Sequence, residues 1–134
     1  NELIELSRTL NVIDRTLFLD YLPTPYNYLS LFDVYAMCSR SEGFGLAAVE
    51  ATLMQTPVVC SNISIFKEIF DDTKVSFFEL DNISSLLESI NIAISTIGKL
   101  KAKVALNYSL NNFSGYKMAS NYLDIYSNLL NGKI

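Results

Sequence analysis

Apolar residues recur along this chain with two different spacings. Near the start, Leu3, Leu6 and Leu10 follow the helical repeat, and Asn11 is a residue type that could end such a helix. Further on, short apolar runs alternate with segments of helical spacing. Apolar strands that alternate with helices predict a parallel sheet covered on both faces, the doubly wound α/β class.

The same pattern predicts approximate bounds for each element. The predicted strands span residues 16–19, 34–38, 58–60 and 75–78. The predicted helices between them span residues 28–32, 46–55 and 65–70. From Ile83 the pattern stays helical to the end of the chain. We therefore expect a Rossmann-like parallel sheet flanked by helices, followed by a helical C-terminal tail.

Length and composition predict a single domain over residues 1–134. Half of the residues are hydrophobic, which is enough to bury a core in a chain of 134 residues. Charged residues interrupt every apolar stretch well before the roughly 20 residues that a membrane span needs. The formal net charge of -4 argues against nucleic-acid binding, which depends on clustered Lys and Arg. We expect no transmembrane segment and no nucleic-acid partner.

The cysteine and histidine content restricts the chemistry further. Cys38 and Cys60 end two neighbouring predicted strands, and they form neither a zinc-site pattern nor a disulfide framework. We expect both to be reduced core residues of a cytoplasmic protein. The chain has no histidine, so histidine-dependent catalysis is excluded within it.

Candidate chemistry is concentrated where the strand at residues 34–38 turns into the helix at residues 46–55. Glu42 and Glu50 stand on either side of a Gly-Phe-Gly turn that ends at Gly45. A helix that begins there leaves the N–H groups of its first turn without intrahelical acceptors, and its dipole makes that end partly positive. The glycines allow a ligand to approach the backbone closely. The turn is therefore predicted to bind an anion such as a phosphate.

The two carboxylates suit hydroxyl groups better than they suit the anion itself. Beside a phosphate, Glu42 and Glu50 would repel its charge, but they could accept hydrogen bonds from hydroxyl groups attached to it. A phosphate flanked by polyols is a nucleotide sugar. In sheets of this class, ligands bind beyond the carboxyl ends of the strands, and the loop over residues 39–45 lies at such an end.

Residues 42–50 resemble the E-x7-E signature of the family 4 glycosyltransferases, which are retaining enzymes of the GT-B architecture. The likeness covers nearly the whole chain, through residues 14–23, 28–36, 56–61, 66–68 and 112–114. Asp20, Cys38 and Gln55 depart from the residues that the family usually has. None of these departures touches the two glutamates.

The resemblance implies a role for each residue of the motif. Glu50 would accept hydrogen bonds from the nucleotide ribose, and Glu42 would be the catalytic residue that contacts the transferred sugar. Backbone N–H groups of the turn would bind sugar hydroxyls or phosphate. The other donor-binding residues would be Gly43, Phe44, Gly45 and Leu46. No metal, no cofactor and no protein nucleophile are implied.

The resemblance also implies that these residues are one part of a larger enzyme. They resemble roughly the last third of such a protein, without the Arg and Lys that hold the donor pyrophosphate and without the N-terminal acceptor domain. We expect the piece to be inactive alone. The whole enzyme would transfer a hexosyl group from a nucleotide sugar to a glycan or lipid-linked acceptor, in surface polysaccharide or lipopolysaccharide synthesis. It would lie in the cytoplasm, or associate peripherally with the inner face of the membrane.

Two other functions stay open on the sequence. Gly43, Gly45 and Ala48 also satisfy the G-x-G-x-x-A fingerprint of NAD- or FAD-binding Rossmann-like modules. That fold needs an acidic residue at the end of the next strand, where residues 60–62 supply none. The third alternative is a non-catalytic interaction domain that keeps the fold.

Two polar residues next to the motif have competing interpretations. Ser39 could position Glu42, although serine in a turn more often satisfies the turn itself. Arg40 could reach a phosphate, but a solvated loop arginine is the simpler interpretation.

Overall fold

Three parallel strands form the centre of the fold in a computed structural model that describes residues 2–132. Asn1, Lys133 and Ile134, the ends of the predicted domain, lie outside the described residues. The strands are β1 (Tyr35–Met37), β2 (Val58–Ser61) and β3 (Ser76–Phe78). They lie in the order β1-β2-β3, with Met37 paired to Cys60 and Cys60 to Phe77. The predicted Rossmann-like parallel sheet is confirmed.

Helices connect and cover these strands. Those within residues 2–132 are α1 (Glu2–Thr9), α2 (Tyr26–Leu29), α3 (Leu46–Leu53), α4 (Ser64–Ile69), α5 (Ile83–Ile94), α6 (Thr96–Asn112) and α7 (Gly115–Leu130). Each predicted helix is present with slightly different ends, as expected where terminal turns depend on local capping. Asn11 has a φ of 53°, the left-handed conformation that ends the first helical segment.

The strand predicted over residues 16–19 is wrong. A short 3₁₀ helix, Ile13–Arg15, precedes this segment, and Thr16 is extended with φ -118° and ψ 121°. Leu17 is 80% exposed, and Phe18 and Leu19 are exposed as well. An extended segment becomes a strand only when another strand satisfies its backbone groups. Within residues 2–132, these residues pair with no strand.

Helices lie on both faces of the sheet, and the side chains of β2 pack alternately against one face and the other. Val58 and Cys60 belong to a core cluster that α3 covers. Val59 points to the opposite face, where it packs with Phe78 of β3 and Ala93 of α5. All the residues of β2 are buried, as expected for the central strand of a parallel sheet covered on both sides.

The two cysteines differ in their surroundings. Cys60 is fully buried in β2, and its burial, with a smaller effect from Cys38, raises the pKa of its thiol to about 12. Cys38 is exposed, so the prediction that it is a core residue is wrong. The reason is that β1 is an edge strand: Ala36, two residues earlier and on the same face of the strand, is exposed as well.

The helical tail that the sequence predicts from Ile83 onward is three helices. Ser95 caps α6 by accepting a hydrogen bond from the N–H of Ile97 at 3.1 Å, and Ser114 caps α7 by accepting one from Lys117 at 3.1 Å. α7 buries none of its residues. Among the helices that the structure describes, none combines the length and the apolar character that crossing a bilayer requires.

A buried hydroxyl pair joins α3 to α6. Thr52 donates a hydrogen bond to the carbonyl oxygen of Val49 at 2.7 Å, and the hydroxyl oxygens of Thr52 and Ser109 are 2.7 Å apart. Because the Thr52 proton is already used, Ser109 is the donor within the pair. Both side chains are fully buried. The pair therefore fixes the helix that carries Glu50 against the C-terminal helices.

Replacing Ser109 with alanine should lower the free energy of unfolding by about 1–2 kcal/mol, because it removes a buried hydrogen bond and leaves Thr52 without its donor. Urea unfolding of the chain measures this change. Ser127→Ala is the matched control, since Ser127 lies exposed on α7. The control should be neutral or slightly stabilising, because alanine is the better helix former. Equal stability of the two variants would contradict the prediction.

Candidate functional site

The turn before α3 requires glycine at position 45 for structural reasons. Gly45 is the N-cap residue of α3 and has a φ of 84°, in the left-handed region that disfavours other residues. A Cβ added there would lie 2.4 Å from Cε1 of Phe66, a side chain that is fully buried. Around Gly43, by contrast, no atom lies within 4 Å of an added Cβ. Space beside the turn is therefore open at Gly43 and closed at Gly45.

The first turn of α3 presents free N–H groups. Ala48 donates to the carbonyl oxygen of Gly45 at 3.0 Å, and Val49 donates to the same oxygen at 3.4 Å. The preceding N–H groups, those of Leu46 and Ala47, have no acceptor within residues 2–132. Free N–H groups and the positive end of the helix dipole suit a negatively charged ligand group.

Glu42 is held in place by a chain of hydrogen bonds that begins in the sheet. The hydroxyl of Ser61, a buried residue at the end of β2, donates to the carbonyl oxygen of Ser39 at 2.5 Å. The hydroxyl of Ser39 in turn donates to Oε1 of Glu42 at 2.6 Å. Ser39 therefore positions Glu42. The sequence favoured the other interpretation, in which the serine hydroxyl satisfies the turn itself. Each carboxylate oxygen can accept more than one hydrogen bond, so Glu42 can still bind a hydroxyl group.

Glu50 faces a pocket of about 510 Å³ that lies between α3 and the corner joining α6 to α7. Phe44, Leu46 and Glu50 line one wall, and Phe113 and Met118 line the other. The walls are mainly apolar, with Glu50 as the charged group. This size is within the usual range for small-molecule sites.

The structure thus divides the predicted site residues into two groups. Phe44, Leu46 and Glu50 are brought together at the pocket. Glu42, Gly43 and Gly45 do not line it. Glu42 lies in the loop before α3, and Glu50 lies in the second turn of that helix.

Tyr35 is a neighbour of the site that the sequence does not single out. Burial raises the pKa of its phenol, and electrostatic interactions with Cys60, Glu50 and Glu42 raise it further. Both carboxylates therefore lie within electrostatic reach of the Tyr35 hydroxyl, which stays protonated at physiological pH. The sequence feature that could have identified Tyr35 is its hydroxyl group within the otherwise apolar run at residues 34–38.

Arg40 is engaged in an ion pair. Its Nη1 donates to Oδ2 of Asp81 at 2.9 Å, and its Nη2 donates to Oδ1 at 2.5 Å. These hydrogen bonds and the attraction of the charges raise the pKa of Arg40 and lower that of Asp81. The pair is exposed, and its contribution to stability is small. Arg40 links the loop after β1 to the loop after β3, which fits a surface role.

Comparison with known proteins gives a consistent result. The family described as "Glycosyl transferases group 1" matches residues 1–107. An O-antigen biosynthesis glycosyltransferase of Escherichia coli, WclY, is 37% identical over 129 residues, which is 96% of this chain and 36% of that protein. The chain therefore spans about a third of the length of this relative. These matches favour the glycosyltransferase interpretation over the dinucleotide-binding and interaction-domain alternatives.

Two further proteins extend the comparison. An N-acetylgalactosaminyltransferase of Campylobacter jejuni that acts on a diphospho-undecaprenol substrate, as its name states, is 29% identical over 92 residues, which is 67% of this chain and 25% of that protein. The crystal structure of a glycosyltransferase from Rickettsia africae superposes with a TM-score of 0.86 at 24% identity, covering 97% of this chain and 36% of that one. At this identity, the structural match establishes the fold alone.

Proposed function

Since this chain belongs to the group 1 family of glycosyl transferases, we propose that it is the nucleotide-sugar-binding domain of a retaining family 4 enzyme of the E-x7-E type. The observation that carries the proposal is the arrangement around the start of α3. Free N–H groups lie at the helix end, Glu50 lines the pocket, and Glu42 is held by Ser39 in the loop before the helix.

The donor would bind across this helix end. Its pyrophosphate would accept hydrogen bonds from the N–H groups of Leu46 and Ala47, which have no acceptor within residues 2–132. Glu50 would accept hydrogen bonds from the ribose hydroxyls, since a carboxylate is a strong acceptor for a diol. Gly43 would lie against the donor, because the space beside it is open.

Glu42 would contact the hydroxyl groups of the transferred hexosyl unit and orient its anomeric carbon. In the reaction, the bond from that carbon to the donor phosphate oxygen breaks, and a bond to the acceptor oxygen forms on the same face of the sugar. The leaving phosphate takes the acceptor proton, and the helix N–H groups stabilise the charge that develops on it. This chemistry needs no metal, no cofactor and no protein nucleophile.

The acceptor would be a glycan or a lipid-linked saccharide, bound by an N-terminal domain of the whole protein. The similarity to an O-antigen biosynthesis glycosyltransferase supports a role in surface polysaccharide or lipopolysaccharide synthesis. Such a protein would work in the cytoplasm, or peripherally at the inner face of the membrane, where lipid-linked acceptors are found.

Replacing Glu50 with alanine should weaken donor binding roughly 10- to 150-fold, because hydrogen bonds to a charged group contribute about 1.5–3 kcal/mol. The measurement is ligand-observed NMR of the full-length protein with UDP-glucose, GDP-mannose and ADP-glucose, and with NAD as a competitor. Glu88→Ala is the matched control, because Glu88 lies exposed on α5 away from the site.

The same experiment separates the alternatives. Binding of one nucleotide sugar that is lost in Glu50→Ala and kept in Glu88→Ala supports the proposal. Binding of NAD alone would favour the dinucleotide module instead. A wild-type protein that binds none of the four ligands would favour the interaction domain.

A further inference from the structure

Phe44 is the central residue of the motif turn, residues 43–45. It lies between two glycines, one of which has no neighbouring atom within 4 Å of where its Cβ would be. Its ring is 41% exposed and belongs to neither core cluster of the described residues. A turn with glycines on both sides of its central residue has many accessible conformations. The contacts of the Phe44 side chain therefore help to set the conformation of this turn between the fixed Gly45 and the hydrogen-bonded Glu42.

Phe44 contacts Phe113, which lies at the corner between α6 and α7. The ring centroids are 5.8 Å apart and the ring planes meet at 85°, the edge-to-face arrangement that aromatic pairs prefer. These two residues are 69 positions apart in the sequence, so the contact joins the motif turn to the corner between the last two helices. Both rings also line the pocket that Glu50 faces.

Phe113 is itself firmly anchored. Its ring packs edge-to-face against Tyr108 at 5.6 Å and against the buried Phe70 at 6.5 Å. Its N–H donates to the carbonyl oxygen of Ser109 at 2.9 Å, and the hydroxyl of Ser109 is bonded to Thr52 of α3. The Phe113 ring is therefore fixed relative to the helix that begins at the motif turn.

We propose that Phe113 is a positioning residue: by holding the ring of Phe44, it keeps the motif turn, and with it the N–H groups of Leu46 and Ala47 at the start of α3, in the conformation that binds the donor pyrophosphate. This inference rests on the proposed function. Phe113 acts on the turn through the ring of Phe44. Because Phe113 also lines the pocket, the double variant below separates this role from a direct contact with the donor. Without the aromatic contact, the turn would have to be ordered when the donor binds, which weakens affinity.

The test is a double-mutant cycle in the full-length protein, with binding of UDP, GDP and ADP measured separately by calorimetry. Phe113→Leu keeps an apolar side chain in the corner and removes the aromatic edge, so it preserves folding better than an alanine would. It should weaken binding of the preferred nucleotide roughly 2- to 12-fold, the range that one aromatic pair contributes. Phe113→Tyr should restore affinity close to that of the wild type.

Two further variants separate positioning from general packing. In the double variant with Phe44→Leu, the Phe113→Leu change should have no further effect, because both substitutions remove the same contact. Tyr126→Leu is the matched control, since Tyr126 pairs with Tyr122 on α7 at 6.3 Å, is exposed and does not line the pocket. This control should bind like the wild type.

The outcomes distinguish this inference from the proposed function. If the wild type binds a nucleotide and Glu50→Ala weakens it, but Phe113→Leu binds normally, only the positioning role is wrong. The positioning role would also be wrong if the two fold-losses of nucleotide affinity, from Phe44→Leu and from Phe113→Leu, multiplied in the double variant. Such a result would show that the two residues act independently. If the wild type binds none of the three nucleotides, both proposals fail together.

Discussion

Replacing Glu42 with alanine should lower the turnover number of the full-length protein roughly 10- to 150-fold, while donor affinity stays within about twofold. The expected loss corresponds to one or two charged hydrogen bonds, at about 1.5–3 kcal/mol in total. Glu42 does not line the pocket that Glu50 faces, so its removal should affect the sugar to be transferred more than the nucleotide. Turnover and donor affinity are measured separately, by initial rates and by calorimetry.

The hydrogen bonds around Glu42 predict a graded series of effects. Ser39→Ala removes the donor to Oε1 of Glu42 but leaves the carboxylate, so turnover should fall less than in Glu42→Ala. Ser41→Ala is the control, because Ser41 is an exposed neighbour in the same loop. If Glu42→Ala reduced donor affinity and left turnover unchanged, the role of Glu42 at the transferred sugar would be wrong.

The local part of the site was predictable from the sequence because it depends on neighbours in the chain. The order of strand, glycine turn and helix places Glu42 and Glu50 on either side of the start of α3. Helix formation, strand alternation and the positive φ at Gly45 are all set by residues close in sequence. The parallel sheet followed from the same short-range pattern.

The parts that the sequence did not predict depend on contacts between distant residues. The contact of Phe44 with Phe113 joins residues 69 positions apart, and no periodicity indicates which aromatic residues will meet. The pairing of Arg40 with Asp81 is of the same kind. At residues 16–19 the sequence predicted an element that does not form. Their apolar pattern is typical of a strand, but a strand needs a neighbouring strand to pair with.

The two glycines of the motif turn should respond to alanine in different ways. Gly45→Ala should lower the free energy of unfolding by about 2–5 kcal/mol, which combines the strain of a left-handed backbone with overpacking against Phe66. Phe66 cannot move aside, because it is fully buried. Such a loss is a large share of the stability of a typical domain, so the urea concentration at the unfolding midpoint should fall markedly. Urea unfolding of the chain measures it.

Gly43→Ala should leave the free energy of unfolding within about 0.5 kcal/mol, because an added Cβ meets no atom within 4 Å. It should nevertheless weaken donor binding in the full-length protein, since the methyl group would fill the space where the donor lies against the backbone. Calorimetry with the nucleotide sugar that the wild type binds tests this directly. Full donor affinity in a stable Gly43→Ala variant would show that the open space beside the turn is not part of the donor site. Weakened affinity with unchanged stability would separate the two glycines, because Gly45 would then serve the packing of the turn and Gly43 the ligand.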